Sequence, residues 1–171
     1  MTIRAIVAMD EGRVIGCEGG LPWHLPDDLR RFAQLTKGGT VVMGRRTYDS
    51  LPEQVRPLKG RANIVVTTNR YAVYPAAVRV VSDLAALIEE MQSHRDTPFW
   101  IIGGEELYRQ TIEAWDEAFV TVVHGIHAGD RHLPPFESNF ILTQKEPGNG
   151  CDFLHYARGV DINSLSKTPA S

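Results

Sequence analysis

The chain enters a predicted helix through the segment Leu21-Pro22-Trp23-His24-Leu25-Pro26-Asp27-Asp28-Leu29-Arg30-Arg31-Phe32. Pro26 suits the first helical position, because the N–H that proline lacks has no partner there in any helix. One face of this helix is apolar apart from a single acid, with the spacing i, i+3, i+4, i+7: Leu25, Asp28, Leu29 and Phe32. The other side carries Asp27, Arg30, Arg31 and Gln34. The spacing therefore predicts that Asp28 faces inward while Asp27 faces solvent.

An inward carboxylate among apolar groups needs a partner or a chemical purpose, because burying an unpaired charge is costly. A second interpretation is that Asp28 and Asp27 only favour the positive end of the helix dipole. The segment alone leaves both interpretations open.

The composition limits the class of protein. A chain of 171 residues is predicted to form one domain with a substantial core. A formal charge of −3 gives no basic excess for nucleic acid. Cys17 and Cys151 lack metal or redox spacing, which favours a reducing compartment. The apolar start is too short for a secretory signal and no segment could span a bilayer. We expect a cytoplasmic protein with neither a nucleic-acid nor a membrane partner.

Apolar and β-branched runs alternate with helical patterns along the chain. Strands are predicted at 2–9, 40–43, 63–67, 78–81, 98–102 and 118–124, with a final hairpin around Pro147-Gly-Asn-Gly150. Helices are predicted at 26–37, 45–51, 82–91 (with Ser82 as its cap) and after Gly104 to about 111. The glycine-rich residues 10–24, here called the flap, are predicted to be a loop. The alternation indicates an α/β domain with a largely parallel sheet, whose ligands bind at the carboxyl ends of the strands.

Three of those strand ends carry groups suited to phosphates. They offer helix amino termini, arginine guanidinium groups and glycines that let the backbone come close to a phosphate. The three segments are Gly44-Arg45-Arg46-Thr47, Thr67-Thr68-Asn69-Arg70 and Gly103-Gly104. Together they suggest a dinucleotide with an extra phosphate. The alternative is that the glycines only turn the chain and the arginines only face solvent. Neither a G-x-G-x-x-G motif nor a P-loop is present.

Two other kinds of site are not supported. His124, His127, Asp130 and His132 lie close in sequence, but their spacing fits no single helix or strand face, so we expect no metal. A serine hydrolase would need a G-x-S-x-G elbow, which the sequence lacks.

Several motifs occur in an order typical of one family. They are Ala5-Ile-Val-Ala8, Val14-Ile-Gly16, Leu21-Pro-Trp23, Leu25-Pro-x-Asp28-Leu29-x-x-Phe32, Val42-Met-Gly-Arg45-x-Thr47, Leu58-x-Gly-Arg61-x-Asn63, Ile102-Gly-Gly-x-x-x-Tyr108, Thr121 and Gly129-Asp130-x-x-Leu133-Pro134. On these motifs the chain resembles dihydrofolate reductases of the bacterial chromosomal type. The resemblance implies a three-layer fold with an eight-stranded, mostly parallel mixed sheet, an antiparallel carboxyl-terminal hairpin and four helices. It covers a domain at 1–159, leaving 160–171 as a polar, flexible tail.

The resemblance also implies NADPH-dependent reduction of 7,8-dihydrofolate to 5,6,7,8-tetrahydrofolate, with hydride to C6 and a proton to N5. Asp28 would hold the pterin through a charge-assisted fork and Thr121 would bind Asp28. Trp23 would hold an ordered water, and Leu21 would lie at the flap tip where many relatives carry Met. The substrate would contact Ile6, Val7, Leu29, Phe32, Leu51, Leu58 and Ile102, and Arg61 would pair with the glutamate tail. Antifolate inhibitors would bind the same pocket.

The resemblance places the cofactor along the strand ends. NADPH would contact Ala8, Ile15, Gly16, Gly44, Arg45, Arg46, Thr47, Thr67, Thr68, Asn69, Ile102, Gly103, Gly104, Glu105, Leu107 and Tyr108. The preference for a 2′-phosphate would rest on Arg45, Arg46 and Thr68. The flap would close over the nicotinamide, steadied by the backbone of Asp130. Glu105 and Glu106 depart from relatives, which often carry small or basic residues there.

Two other functions compete with this interpretation. A pyrimidine reductase of riboflavin synthesis would share the fold and the NADPH site but would lack the Trp23 and Asp28 pair. A non-catalytic NADPH-binding protein would bind the cofactor without turnover. We expect a monomer.

Overall fold

The computed structural model describes residues 3–94 and 96–159. Its strands, in chain order, are β1 Ile3–Asp10, β2 Val14–Gly16, β3 Thr40–Gly44, β4 Ala62–Val66, β5 Val78–Val81, β6 Phe99–Ile101, β7 Glu117–Val123, β8 Arg131–His132, β9 Phe140–Pro147 and β10 Cys151–Arg158. Its α-helices are α1 Pro26–Thr36, α2 Arg45–Ser50, α3 Leu84–Ser93 and α4 Glu105–Thr111. The predicted tail at 160–171 lies outside the described residues.

Eight of the strands form one mixed sheet, in the order β5-β4-β3-β6-β1-β7-β10-β9. Neighbours from β5 to β7 are parallel, whereas β10 is antiparallel to both β7 and β9. The predicted eight-stranded, mostly parallel sheet with an antiparallel terminal hairpin is confirmed. At the hairpin turn, Gly150 adopts a φ of +75°, a conformation that glycine reaches without steric cost.

Helices cover both faces of the sheet, which explains the continuous apolar runs. Val41, Val42 and Met43 in β3 are all fully buried, so this strand has no polar side. Neighbouring β1 residues enter different cores: Ile6 packs with the cluster that includes Phe32 and Tyr48. Val7 packs with the cluster that includes residues of α3 and α4. The sheet is therefore the middle of three layers.

The flap, predicted to be a loop, contains the short strand β2. Its strand β2 pairs with β8, antiparallel and with a register shift, so residues 14–16 are attached to the segment after β7. Strands of three and two residues are too short to show an alternating pattern. We call residues 11–16 the flap base and residues 17–24 the flap tip.

Two details of the predicted helices were wrong. Helix α3 is capped by Asp83 rather than Ser82, and the Asp83 carboxylate accepts a hydrogen bond from the Ala86 N–H at 3.0 Å. In α1, Arg31 does not lie on a solvent face but is half-buried. Pro26 does occupy the start of α1, as predicted. None of the helices among residues 3–94 and 96–159 has the length and apolar character needed to cross a bilayer.

Candidate active site

Asp28 lies in the first turn of α1, over the carboxyl end of β7. The Thr121 hydroxyl donates a hydrogen bond to Asp28 Oδ1 at 2.6 Å. Asp28 is half-buried and Thr121 is 3% exposed. Burial raises the pKa of the Asp28 carboxyl, while the Thr121 hydrogen bond and the Arg31 guanidinium lower it in part. The inward orientation predicted for Asp28 is confirmed, and the partner it needs is Thr121.

Arg31 is a charged neighbour of Asp28 and does not lie on the solvent-facing side predicted for it. Its guanidinium carbon lies 4.6 Å from the Phe153 ring centroid and 6.0 Å from that of Phe119. It also lines an open groove of about 430 Å³ between α1 and the β9–β10 hairpin. The helical period predicts only where each side chain starts. Because an arginine side chain is long, its guanidinium can still reach back over apolar rings.

Trp23 lies in the flap tip, shortly before α1 begins at Pro26. Its Nε1 atom is buried and has no hydrogen-bond partner among the residues that the structure describes. The ring packs edge-on against His127, with centroids 5.3 Å apart and planes at 71°. A buried donor of this kind is suited to holding a water or a ligand atom.

The apolar residues predicted to form the substrate walls are brought together on the α1 side of the sheet. One cluster contains Ile6, Phe32, Leu51, Leu58 and Ile102. Leu29 is 48% exposed, next to Asp28 on α1, so it presents apolar surface to solvent. The side chain of Val7 belongs to the core on the opposite face, so only its backbone is available to this side.

Arg61 lies at the far end of the same apolar cluster. Its Nη1 donates to Thr36 Oγ1 at 3.2 Å, and its guanidinium carbon is 5.8 Å from the Phe32 ring centroid. Burial lowers the pKa of Arg61. No carboxylate of the described residues pairs with it. This guanidinium is therefore available to an anionic ligand.

The second group of predicted residues meets at the ends of β3 and β6. The Gly44 N–H donates to the Gly103 carbonyl at 2.8 Å, and a Cβ added at Gly104 would lie 3.4 Å from Thr47 Oγ1. Gly103 has a φ of +111°, which side chains rarely adopt. Backbone can approach a pyrophosphate closely here, and the amino termini of α2 and α4 lie beside it.

More polar groups lie at the carboxyl ends of β3 and β4, at the same edge of the sheet as the Gly103 turn. Gly44 and Val66 pair across the two strands, which brings Arg45 and Arg46 to the same edge as the residues that follow β4. Arg45 Nη1 lies 3.2 Å from Asp49 Oδ2, and Arg46 is exposed. Thr67 is half-buried, while Thr68 and Asn69 are exposed. The edge thus combines cations and hydroxyls, a set that suits phosphate.

Helix α4 carries two buried side chains that pack behind the Gly103 turn and two acids that pair with an arginine. The Tyr108 hydroxyl donates to the Ile6 carbonyl at 2.8 Å, and both Tyr108 and Leu107 are buried. Their side chains therefore fix the Gly103 turn against β1 rather than offering an open surface. Glu105 lies 3.8 Å from Arg109, and Glu106 pairs with the same arginine, so its charge offsets the two acids near the glycine pair.

The flap base is attached to the chain after β7 by several hydrogen bonds. The Asp130 N–H donates to the Gly16 carbonyl at 3.1 Å, as predicted. Ile15 packs against the core and Ala8 pairs with Thr121 across β1 and β7. At the flap tip, Leu21 is 53% exposed. The flap therefore begins beside the strand that carries the Asp28 partner.

One buried carboxylate, Asp10, was not predicted from the sequence; it binds His127 and the flap base. Its side chain is 0% exposed. No run of apolar or polar residues signals this pairing, because the partners are separated by 117 positions in the chain. Within residues 3–94 and 96–159, no three His, Cys, Asp or Glu side chains are grouped to hold a metal ion.

Comparisons with known proteins identify a family with the same features. A family model described as dihydrofolate reductase matches residues 2–158. A dihydrofolate reductase of Mycobacterium leprae is 41% identical over 160 residues, covering 91% of this chain and 95% of that protein. The one of Bacillus subtilis is 39% identical over 147 residues, covering 85% and 84%.

A solved structure agrees with the sequence relatives. It is described as dihydrofolate reductase from Enterococcus faecalis complexed with NADP(H) and RAB-propyl. It is 31% identical, covers 93% of this chain and 97% of its own, and gives a TM-score of 0.85. The chain belongs to the dihydrofolate reductase family.

Proposed function

We propose that this protein reduces 7,8-dihydrofolate to 5,6,7,8-tetrahydrofolate with NADPH. The observation that carries the proposal is the half-buried Asp28 carboxylate, bound to Thr121 at 2.6 Å beside an apolar cluster and a glycine turn. Family membership supports the same reaction. When bound, NADPH supplies the hydride that reaches C6 of the pterin.

Asp28 would hold and orient the pterin. A carboxylate accepts about four hydrogen bonds, and Thr121 uses one site on Oδ1. The remaining sites would accept a fork from the pterin 2-amino group and N3. The fixed negative charge then stabilises the positive charge that develops on the ring as hydride arrives.

The proton for N5 needs a second route, because the fork holds Asp28 at the other edge of the pterin. The buried Nε1 of Trp23 would hold the water that carries this proton. Leu21, at the exposed flap tip, would close over the ring and exclude other water. Ile6, Val7, Leu29, Phe32, Leu51, Leu58 and Ile102 would contact the substrate, and Arg61 its glutamate carboxylate.

The residues at the strand ends fit a phosphorylated dinucleotide. Gly44, Gly103, Gly104 and Thr47 would lie against the pyrophosphate, and Arg45, Arg46 and Thr68 would bind the 2′-phosphate. The nicotinamide would lie near Ala8, Ile15 and Gly16. The other assigned contacts are Thr67, Asn69, Ile102 and Glu105. Leu107 and Tyr108, whose side chains are buried, would act by supporting the Gly103 turn against which the cofactor lies.

Oligomeric state, cellular compartment and inhibitor binding belong to the same proposal. We also propose that the protein is a monomer. Cys17 and Cys151 are both free, which supports a reducing cytoplasm. Antifolates that offer the same pair of donors would occupy the Asp28 fork.

Mixing the purified protein with NADPH and dihydrofolate tests the proposal, with NADPH absorbance as the readout. We expect NADPH consumption that requires dihydrofolate, is inhibited by an antifolate and is largely lost in Asp28→Asn. Consumption only with a pyrimidine substrate of riboflavin synthesis would favour the reductase alternative. Binding of NADPH without turnover on either substrate would favour a cofactor-binding protein. Either result would contradict the proposed function.

A further inference from the structure

Asp10 is a buried acid at the carboxyl end of β1 that has no place in the proposed reaction. Its Oδ1 accepts hydrogen bonds from the Gly12 N–H at 2.9 Å and the Val14 N–H at 2.8 Å. Its Oδ2 accepts the His127 N–H at 2.6 Å. One carboxylate therefore attaches the flap base to the loop that follows β7.

The same oxygen of Asp10 also binds the His127 ring. His127 Nδ1 lies 3.2 Å from Asp10 Oδ2. Burial alone would raise the pKa of Asp10, but the hydrogen bonds from Val14 and His127 lower it below its ordinary value. The ionised carboxylate can only accept, so Nδ1 carries the proton and the ring orientation is fixed.

The oriented ring meets Trp23. The two centroids are 5.3 Å apart in an edge arrangement. Trp23, like Trp100, has a buried Nε1 with no hydrogen-bond partner among residues 3–94 and 96–159. An indole presents its single N–H in a given direction only when its ring is held in one orientation. His127 lies against that ring, and its own position is set by Asp10.

We propose that His127 is a positioning residue for Trp23, held in place by the buried carboxylate of Asp10. The proposal rests on the function proposed above and deepens it: the loop after β7 sets the direction of the indole N–H that serves the pterin. His127 touches neither substrate nor cofactor in this proposal and acts only through Trp23.

Two substitutions at position 127 separate its two contacts. His127→Asn keeps a donor near the Nδ1 position but removes the ring that reaches Trp23. His127→Phe keeps a ring against Trp23 but removes the donor to Asp10, which retains its three backbone N–H donors. His124→Asn is the matched control, because His124 is 52% exposed and contacts Asp152 instead.

The first readout is the ¹⁵N spectrum of the indole groups in the free protein, which needs no turnover. The chain has three tryptophans, and the Trp23 signal is the one lost in Trp23→Phe. We expect this signal to broaden in His127→Asn, because the indole is no longer held in one orientation, and to stay sharp in His124→Asn. A Trp23 signal as sharp as that of the wild type in a folded His127→Asn would overturn the proposal.

The second readout is kcat in a double-mutant cycle with Trp23→Phe. We expect His127→Asn to lower kcat about tenfold, the range over which one aromatic contact can favour a single ring arrangement. His127→Phe should lose only about twofold, since a ring still packs on Trp23. In the Trp23→Phe background, His127→Asn should have little further effect.

An equal loss of kcat from His127→Asn in both backgrounds would show that His127 acts independently of Trp23 and would refute the proposal. If His127→Asn does not fold, His127→Phe is measured in the same double-mutant cycle. A loss of kcat well beyond twofold that is also seen in the Trp23→Phe background would refute the proposal. A folded wild-type protein with no turnover would defeat the proposed function alone. The indole signal would then still decide whether His127 positions Trp23.

Discussion

Replacing Asp28 by Asn removes the charge of the half-buried carboxylate and keeps its size. Thr121 can still donate to the amide oxygen, so the amide NH₂ would point at the donors of the pterin. The fork then loses two charge-assisted hydrogen bonds, each worth about 1.5–3 kcal/mol. Halving their sum, because part of the residue faces solvent, leaves about 1.5–3 kcal/mol, or roughly a 10- to 150-fold loss in kcat/KM.

The loss should depend on pH in a defined direction. Burial raises the pKa of Asp28, so the wild-type carboxyl takes up a proton as the pH falls through that value. In acid the substrate also protonates without help. The ratio of wild-type to Asp28→Asn activity should therefore be largest at neutral pH and narrow in acid.

Steady-state rates of both proteins across this pH range test the expectation, with Asp27→Asn as the control. Asp27 carries the same charge one position earlier, but it is 46% exposed and pairs with Arg30. We expect Asp27→Asn to stay within about twofold of wild type, because exposed ion pairs contribute little. Equal activity of Asp28→Asn and wild type at neutral pH, or a ratio that does not change with pH, would refute the role of Asp28.

Three further outcomes are expected. Arg45→Ala should raise the KM for NADPH about 10- to 100-fold and that for NADH less than about threefold, because only NADPH offers the 2′-phosphate; similar losses for both cofactors would contradict the assignment. Gly129→Ala should destabilise the protein by about 1–3 kcal/mol in urea unfolding, since its Cβ would lie 2.2 Å from Val14 Cγ1. Gly20→Ala is the control for Gly129→Ala: the nearest atom to its added Cβ would be 3.8 Å away, so its free energy of unfolding should stay close to that of the wild type. The free energy of unfolding of Asp28→Asn should rise relative to that of the wild type as the pH increases from about 4 to neutrality. The pKa of Asp28 is raised in the folded state, so the wild type loses stability over this range while the uncharged Asn does not. A difference in urea unfolding free energy that stays the same at every pH would contradict this.

The parts of the fold that the sequence predicts are those specified by local patterns. Val41, Val42 and Met43 are apolar in succession, and a strand with both faces buried is the simplest structure for them. Pro26 marks the start of α1 because proline favours that position. Asp28 is predicted to face inward because a helical period fixes the direction of its Cβ.

The parts that the sequence does not predict depend on contacts between distant segments. Asp10 and His127 meet only when β1 and β7 lie side by side in the sheet. Arg31 has the helical phase of a solvent-facing residue, yet its length lets the guanidinium reach the Phe153 ring. Ser82 and Asp83 are both common capping residues, and only the final geometry shows which carboxylate or hydroxyl meets the helix N–H groups.

The flap is held unevenly, and this difference bears on how the protein can diverge. Its base is anchored by the Asp10 carboxylate, by strand pairing and by Asp130. Within its tip, Cys17 and Gly20 exchange backbone hydrogen bonds with each other rather than with the sheet. Substitutions at the tip that spare Trp23 should therefore cost little free energy of unfolding, whereas substitutions that remove the hydrogen bonds of the base should destabilise the protein. The tip is thus the part of the flap whose sequence can change with the ligand while the fold is kept.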